Sequence, residues 1–243
     1  MPEGPSIIIL KDLVQPFCGK KIISVKGNSK INQQRLVNQK IIDFKRWGKH
    51  FLICFDGFYL RVHFLLFGSY RINETKDAPP RLHLQFKKGE LNFYACAIRE
   101  VEGSPDDIYD WSADVMNDDW NPRKAKEKIK KTPKELACDT LLNQDIFAGV
   151  GNIIKNEVLY RIRVHPKSLV GKLPSRQLNE MVRQASTYSF DFLAWKKEFV
   201  LKKHLLAHNK KTCQRCNLPF EKEIIGKTKR RAFFCNNCQV LYK

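Results

Sequence analysis

Gln144-Asp145-Ile146-Phe147-Ala148-Gly149-Val150-Gly151-Asn152 is the most specific run in the interior of the chain. Two glycines two apart let the backbone turn tightly, and residues 153–162 beyond them are helical by pattern. Amides at the start of that helix would face outward as an anion site suited to a phosphodiester. An ordinary helix–turn–helix connection would use the same residues, so the surroundings must decide.

Upstream, residues 122–131 form a strongly basic helix candidate, and Thr132-Pro133-Lys134-Glu135 reads as a capped helix start carrying Leu136, Leu141 and Leu142. Downstream, Ser175 caps a long helix through Leu178, Met181, Val182 and Ala185, reaching Trp195. Residues 102–121 hold Asp106, Asp107, Asp110, Asp114, Asp118 and Asp119 and read as an acidic linker. Before it the texture changes to β-rich runs at 21–25, 40–44, 50–55, 58–63, 69–72, 81–86 and 91–94. Asp56-Gly57, Ala78-Pro79-Pro80 and Lys88-Gly89 supply turns between several of them. Strands at this spacing predict a β-sandwich.

Two loops stand out there. Lys45-Arg46-Trp47-Gly48-Lys49 is a solvated turn or a phosphate contact. His63-Phe64-Leu65-Leu66-Phe67-Gly68 puts bulky apolar residues at a strand end where a turn should be polar. Core packing explains those that are buried; a wedge that unstacks bases explains any that are exposed.

At the other end, residues 196–243 carry 13 Lys+Arg and three acidic residues. Cys213, Cys216, Cys235 and Cys238 form two C-x-x-C pairs there, and four thiolates at this spacing suit one structural zinc ion. The metal would order a tail too short to have a core. Lys227, Lys229, Arg230 and Arg231 between the pairs read as the cationic tip of a β-hairpin. Cys18, Cys54, Cys96 and Cys138 are isolated and read as small core residues in a reducing compartment.

The chain has 243 residues and a formal charge of +19, from 44 Lys+Arg against 25 Asp+Glu. That balance points to a polyanionic partner. No uncharged apolar run reaches the roughly 18 residues of a membrane span, and the N-terminus lacks signal-peptide features. A cytoplasmic chain without membrane attachment is expected.

The chain begins Met1-Pro2-Glu3-Gly4-Pro5. Loss of Met1 would expose Pro2 as a secondary amine with a pKa near 8. Attack of that amine on a carbon at the aldehyde level gives an iminium, an electron sink, and Glu3 beside it offers a carboxylate for proton traffic. A solvated chain start has the same letters. The helical pattern at 6–17, with Pro5 near its first turn and Pro16 closing it, would anchor this end against a core.

Taken together these residues resemble the formamidopyrimidine-DNA glycosylase/endonuclease VIII family. The resemblance covers almost the whole chain: Pro-Glu-Gly-Pro, a lysine loop, His-x4-Gly, Ala-Gly-Val-Gly-Asn-Ile and a four-cysteine finger with arginine stand in the family's order. It implies an α+β fold: an N-terminal β-sandwich domain with flanking helices at 2–115, a helical domain with a helix–two-turns–helix motif at 121–205, and a zinc-finger β-hairpin at 206–243. It also implies a bifunctional glycosylase and strand-nicking lyase acting on damaged double-stranded DNA in base-excision repair.

Pro2 would be the nucleophile and Glu3 the general acid/base, with Lys49 and the finger arginine, Arg230, assisting. Arg231 would exchange with Arg230 on a one-residue slip. His63, Gly149, Gly151 and Asn152 would contact DNA, and Leu65, Leu66 and Phe67 would fill the hole left by a flipped nucleotide. Three departures favour oxidised pyrimidines over purines. Ser6 stands where many members carry glutamate; residues 93–98 lack the Arg-Arg-Phe-Gly run of the purine branch; and no glycine lies between Phe192 and Cys213. The competing expectations are a non-catalytic zinc-finger nucleic-acid-binding protein on this scaffold, or the same chemistry on oxidised purines.

Overall fold

The computed structural model describes residues 2–243, and Met1, on whose removal the nucleophile depends, lies outside them. The contacts divide the chain into two compact units, residues 1–109 and 110–243.

The first unit opens with helix α1 (Gly4–Val14), followed by a 3-10 turn at Gln15–Phe17. Pro5 sits in the first turn of α1, where its missing N–H costs nothing. Ile7, Leu10 and Val14 recur at helical spacing and are buried. Each contributes about 1.5–3 kcal/mol of burial, enough to fix the chain start on β2 and β3.

The strands are β1 (Ile22–Lys26), β2 (Asp43–Trp47), β3 (His50–Cys54), β4 (Phe58–Ile72), β5 (Leu82–Phe86) and β6 (Glu90–Glu102). A single helical turn, α2 (Gln33–Leu36), separates β1 from β2. All pairings are antiparallel, in the order β1-β5-β6-β4-β3-β2. This continuous ladder makes both layers of the expected sandwich, because β4 and β6 each pass through both. Phe58–Phe64 pair with residues 96–102 beside β3, whereas Ser69–Ile72 pair with residues 91–94 beside β5. The fold line between the layers is a bulge: residues 65–68 stand opposite Ala95, which takes φ +46°. Phe44, Phe51, Phe58, Phe64, Phe86 and Phe93 fill the shared core with Ile7, Leu10 and Val14.

Two expectations need correcting. Residues 45–49 are no loop: β2 runs on to Trp47, and Gly48-Lys49 alone make the hairpin turn closed by the pair Trp47↔His50. Phe44 and Trp47 are buried, so side-chain packing carries the strand past its cations. Likewise 63–68 is no strand end: His63 and Phe64 stay paired with β6, and residues 65–68 are the bulge inside β4.

The second unit begins within the supposed linker. Asp114 is fully buried and accepts the Met116 N–H at 3.0 Å, while Ala113, Val115 and Met116 are core residues. The acidic stretch is therefore structured, with 3-10 turns at Pro105–Asp107 and Trp111–Ala113. Asp106 pairs with Lys45 at 2.7 Å, and Asp110 with Lys128 at 2.8 Å. Helices follow at α3 (Pro122–Lys130), α4 (Ala137–Leu142), α5 (Gln144–Phe147), α6 (Asn152–Arg161), α7 (Ser175–Lys197) and α8 (Leu201–His204). Thr132 does not start a helix: residues 132–135 form a turn, and α4 starts at Ala137, whose N–H donates to the Ser168 carbonyl. The hairpin β7 (Glu221–Ile225) and β8 (Arg230–Phe234) ends the unit. No helix among the described residues is long and apolar enough to cross a membrane.

Candidate active site and nucleic-acid interface

In the first unit, Pro2 is half-buried, and Glu3, at the N-cap position of α1, is 2% exposed. The Glu3 carbonyl accepts the Ser6 N–H at 2.8 Å, so helix begins directly behind the Pro2-Glu3 pair. Lys49 occupies the β2–β3 turn, where Gly48 takes φ +53°, a conformation that side chains disfavour.

Beneath Lys49 lies a polar aromatic cluster that sequence reading missed. His50 packs edge-on against its cross-strand partner His63, with ring centroids 5.4 Å apart. Trp47 packs beside Tyr109 at 5.0 Å. Burial pushes His50 down to about 3, helped by His63, Arg61 and Lys49; burial pushes Tyr109 up to about 12. The Tyr109 hydroxyl therefore donates to a neutral His50 Nδ1 at 3.2 Å. Burial, then Lys49 and Arg61, also lower His63. The Lys49 charge thus stands over neutral imidazoles.

Leu65, Leu66 and Phe67 in the β4 bulge are 49%, 56% and 82% exposed, whereas Phe64 is buried. Three large apolar side chains are thus held out from a strand whose neighbours on both sides are paired.

In the second unit Gly149 takes φ +100°, and its N–H donates to Gln144 Oε1 at 3.1 Å. The Gln144 side-chain amide also holds the carbonyls of Leu142 and Val150. Gly149 is therefore a turn former whose amide is engaged internally rather than aimed outward. Gly151 is the N-cap of α6, and Asn152 is its first residue.

The polar residues of α6 tie the helix to the finger. Glu157, fully buried, accepts the N–H groups of Leu206, Ala207 and His208 at 2.7–2.9 Å. Asn156 Oδ1 accepts the Phe233 N–H at 3.2 Å. From α4, Asp139 accepts the N–H groups of Lys227 and Thr228 at 3.0 and 3.3 Å, and the Thr228 hydroxyl at 3.2 Å. A Cβ on Gly226 would lie 2.4 Å from that carboxylate. Arg230 and Arg231, exposed at the start of β8, are presented by this clamp. The polar triplet Lys155-Asn156-Glu157, set between the apolar pairs Ile153-Ile154 and Val158-Leu159, was the signal available for it.

The ligand atoms of Cys213, Cys216, Cys235 and Cys238 all lie within 4.8 Å of one another, and Cys213 Sγ is 3.7 Å from Cys238 Sγ. A tetrahedral ion with Zn–S bonds of about 2.3 Å requires sulfurs about 3.8 Å apart, so the set fits a zinc finger. Asn237 Nδ2 donates to Cys216 Sγ at 3.1 Å, as thiolate ligands require. Cys54, Cys96 and Cys138 are buried as expected, but Cys18 is exposed, its thiol donating to the Ile42 carbonyl.

Residues 1–99 match the formamidopyrimidine-DNA glycosylase N-terminal domain, and residues 112–188 match the H2TH domain of the same glycosylase. The chain belongs to the formamidopyrimidine-DNA glycosylase/endonuclease VIII family. Formamidopyrimidine-DNA glycosylase of Lactobacillus helveticus is 28% identical over 286 residues, covering 100% of both chains. Endonuclease 8-like 3 of Mus musculus is 28% identical over 201 residues, 79% of this chain and 33% of that protein. The chain thus spans about a third of the length of the endonuclease 8-like 3 proteins it matches. Among solved structures, the glycosylase of Lactococcus lactis bound non-covalently to abasic-site DNA superposes with a TM-score of 0.84 at 22% identity, covering 98% of this chain and 99% of that one.

Proposed function

We propose that this family member is a bifunctional DNA glycosylase and abasic-site lyase of base-excision repair, acting on oxidised bases and preferring pyrimidines. The observation that carries the reading is the start of α1. A buried glutamate and an immediately buried helix hold Pro2 at one defined place on the sheet that also presents Lys49.

With Met1 removed, the Pro2 nitrogen attacks C1′ of the damaged nucleotide as the glycosidic bond breaks, and the base leaves with a proton. Glu3 is the group beside the sugar that moves protons during this exchange. The C1′–O4′ bond then opens, O4′ taking a proton from Glu3, and the resulting iminium acidifies the C2′ proton. Its loss expels the 3′ phosphate by β-elimination, and a second elimination expels the 5′ phosphate. Lys49 and the finger arginine, Arg230 or Arg231, balance the leaving phosphates. Asn152 and His63 hold the backbone of the duplex. Leu65, Leu66 and Phe67 enter the stack when the nucleotide is flipped out. Cys213, Cys216, Cys235 and Cys238 would hold one zinc ion, whose part is to order the hairpin that carries the arginines.

The exposed apolar bulge and the absence of an Arg-Arg-Phe-Gly run at 93–98 support the pyrimidine preference. Likeness to a formamidopyrimidine-DNA glycosylase along the whole chain supports the purine alternative. Damaged double-stranded DNA is the partner, met by a monomer in the cytoplasm.

Borohydride trapping on abasic and thymine-glycol duplexes tests the reading. A covalent adduct is expected and should vanish in Pro2→Gly. Binding without any adduct would leave a non-catalytic DNA-binding protein. Comparing excision of 8-oxoguanine with that of 5-hydroxyuracil decides the lesion class.

A further inference from the structure

Lys155, in the first turn of α6, is 1% exposed, an unusual place for an ammonium group. Its Nζ donates to Asn152 Oδ1 at 2.8 Å and to the Arg231 carbonyl at 3.2 Å. Asn156, one residue on, adds further links: its Nδ2 reaches the Asn152 carbonyl at 2.8 Å, His208 Nδ1 at 3.1 Å and, more weakly, the Arg231 carbonyl at 3.4 Å. His208 is pushed down to about 4 by burial and then by Lys155, so it accepts that bond as a neutral ring. The ring packs edge-on against Phe233 of β8, at 5.1 Å between centroids.

The chemistry of the Asn152 amide follows from the first bond. An ammonium group donates and never accepts, so it selects the carbonyl oxygen of the amide. The Nδ2 donors are thereby turned away from Lys155, the orientation a phosphate oxygen needs. The second bond holds the backbone of the exposed arginine.

We propose that Lys155 is a positioning residue: its buried ammonium group fixes the Asn152 amide with its N–H groups outward and locks the Arg231 backbone to the same point, so that helix start and finger hairpin grip phosphate as one unit. The inference rests on the DNA-binding reading above and extends it to a group that touches no DNA.

Lys155→Met keeps the length and removes the charge. Equilibrium binding to a duplex with a tetrahydrofuran abasic analogue should weaken about tenfold. Asn152→Ala should weaken the native chain by a similar factor and add little to Lys155→Met, because the amide is already misaligned. Hydrogen exchange at the Asn152 and Ala232 amides should rise, with zinc content unchanged. Additive losses together with unaltered exchange would overturn the inference. Should Lys155→Met fail to fold, Lys155→Gln, which keeps a donor without the charge, is judged by the same two criteria. A native chain that does not prefer the abasic duplex would sink the functional reading instead, and the exchange comparison would still decide the role of Lys155.

Discussion

Asp139→Ala should release the hairpin turn that carries the finger arginines. The native carboxylate accepts one bond of 3.0 Å and two of 3.2–3.3 Å from Lys227 and Thr228. A hydrogen bond to a charged acceptor contributes about 1.5–3 kcal/mol, and the two longer ones about 1 kcal/mol each, giving about 4 kcal/mol. Lys227 and Thr228 are exposed, so water recovers about half of that, leaving about 2 kcal/mol. This corresponds to about a 30-fold loss of the ordered turn. Asp139→Asn, which keeps one carbonyl oxygen, should lose about half as much free energy. Hydrogen exchange at the Lys227 and Thr228 amides measures the effect directly. Metal content should not change, since the four cysteines lie outside the turn. Abasic-site nicking should fall by no more than the same factor. Native exchange rates in Asp139→Ala would refute the clamp.

Chelating the metal should abolish strand nicking and loosen residues 213–238 while leaving the β-rich unit folded; circular dichroism and limited proteolysis check this, and full activity after complete metal removal would count against the finger. Acid should destabilise both units. His50 and His208 have folded pKa values below the unfolded value near 6.5, so their contribution is complete above that pH and is lost as pH falls toward about 3 and about 4. Each accounts for about 1.5 kcal/mol between pH 6.5 and 5, and urea midpoints at the two pH values, with His50→Gln flattening the first-unit trend, provide the test. Gly68→Ala places a Cβ 2.7 Å from that of Phe64 and 2.9 Å from the Ala95 carbonyl. It should cost about 1–3 kcal/mol in denaturant unfolding, and no loss would mean the bulge relaxes freely.

The sequence showed those parts of the fold that are local. The short β-rich runs at 50–55 and 58–63, the helical spacing of Ile7, Leu10 and Val14, and the cysteine pairs each report their own structure. The joins were hidden. That 58–63 and 69–72 are one strand depends on pairing with β6, across a bulge no local pattern announces. Residues 45–49 read as loop because the cations Lys45, Arg46 and Lys49 outweighed the aromatics Phe44 and Trp47, whose burial only tertiary packing reveals. Asp114 looked like solvated acid because its backbone partner at Met116 lies in a turn, not in a periodic element. Motif-bearing residues such as Pro2, Lys49 and Asn152 were named from their letters. Asp139 and Tyr109 act on partners tens of residues away, and nothing in their immediate neighbours pointed to them; for Lys155 and Glu157 the polar run at 155–157 was the one local sign.

The bulge at 65–68 also bears on how this chain can vary in length. One residue added to β4 before Phe64 or after Ser69 would turn every later side chain to the opposite face and put Tyr70 and Ile72 out of step with their partners. The same addition among Leu65, Leu66 and Phe67 leaves both paired segments in phase. Diversity in reach, bulk and polarity is thus channelled into the few positions that protrude, and related sequences should differ in size there before anywhere else along β4.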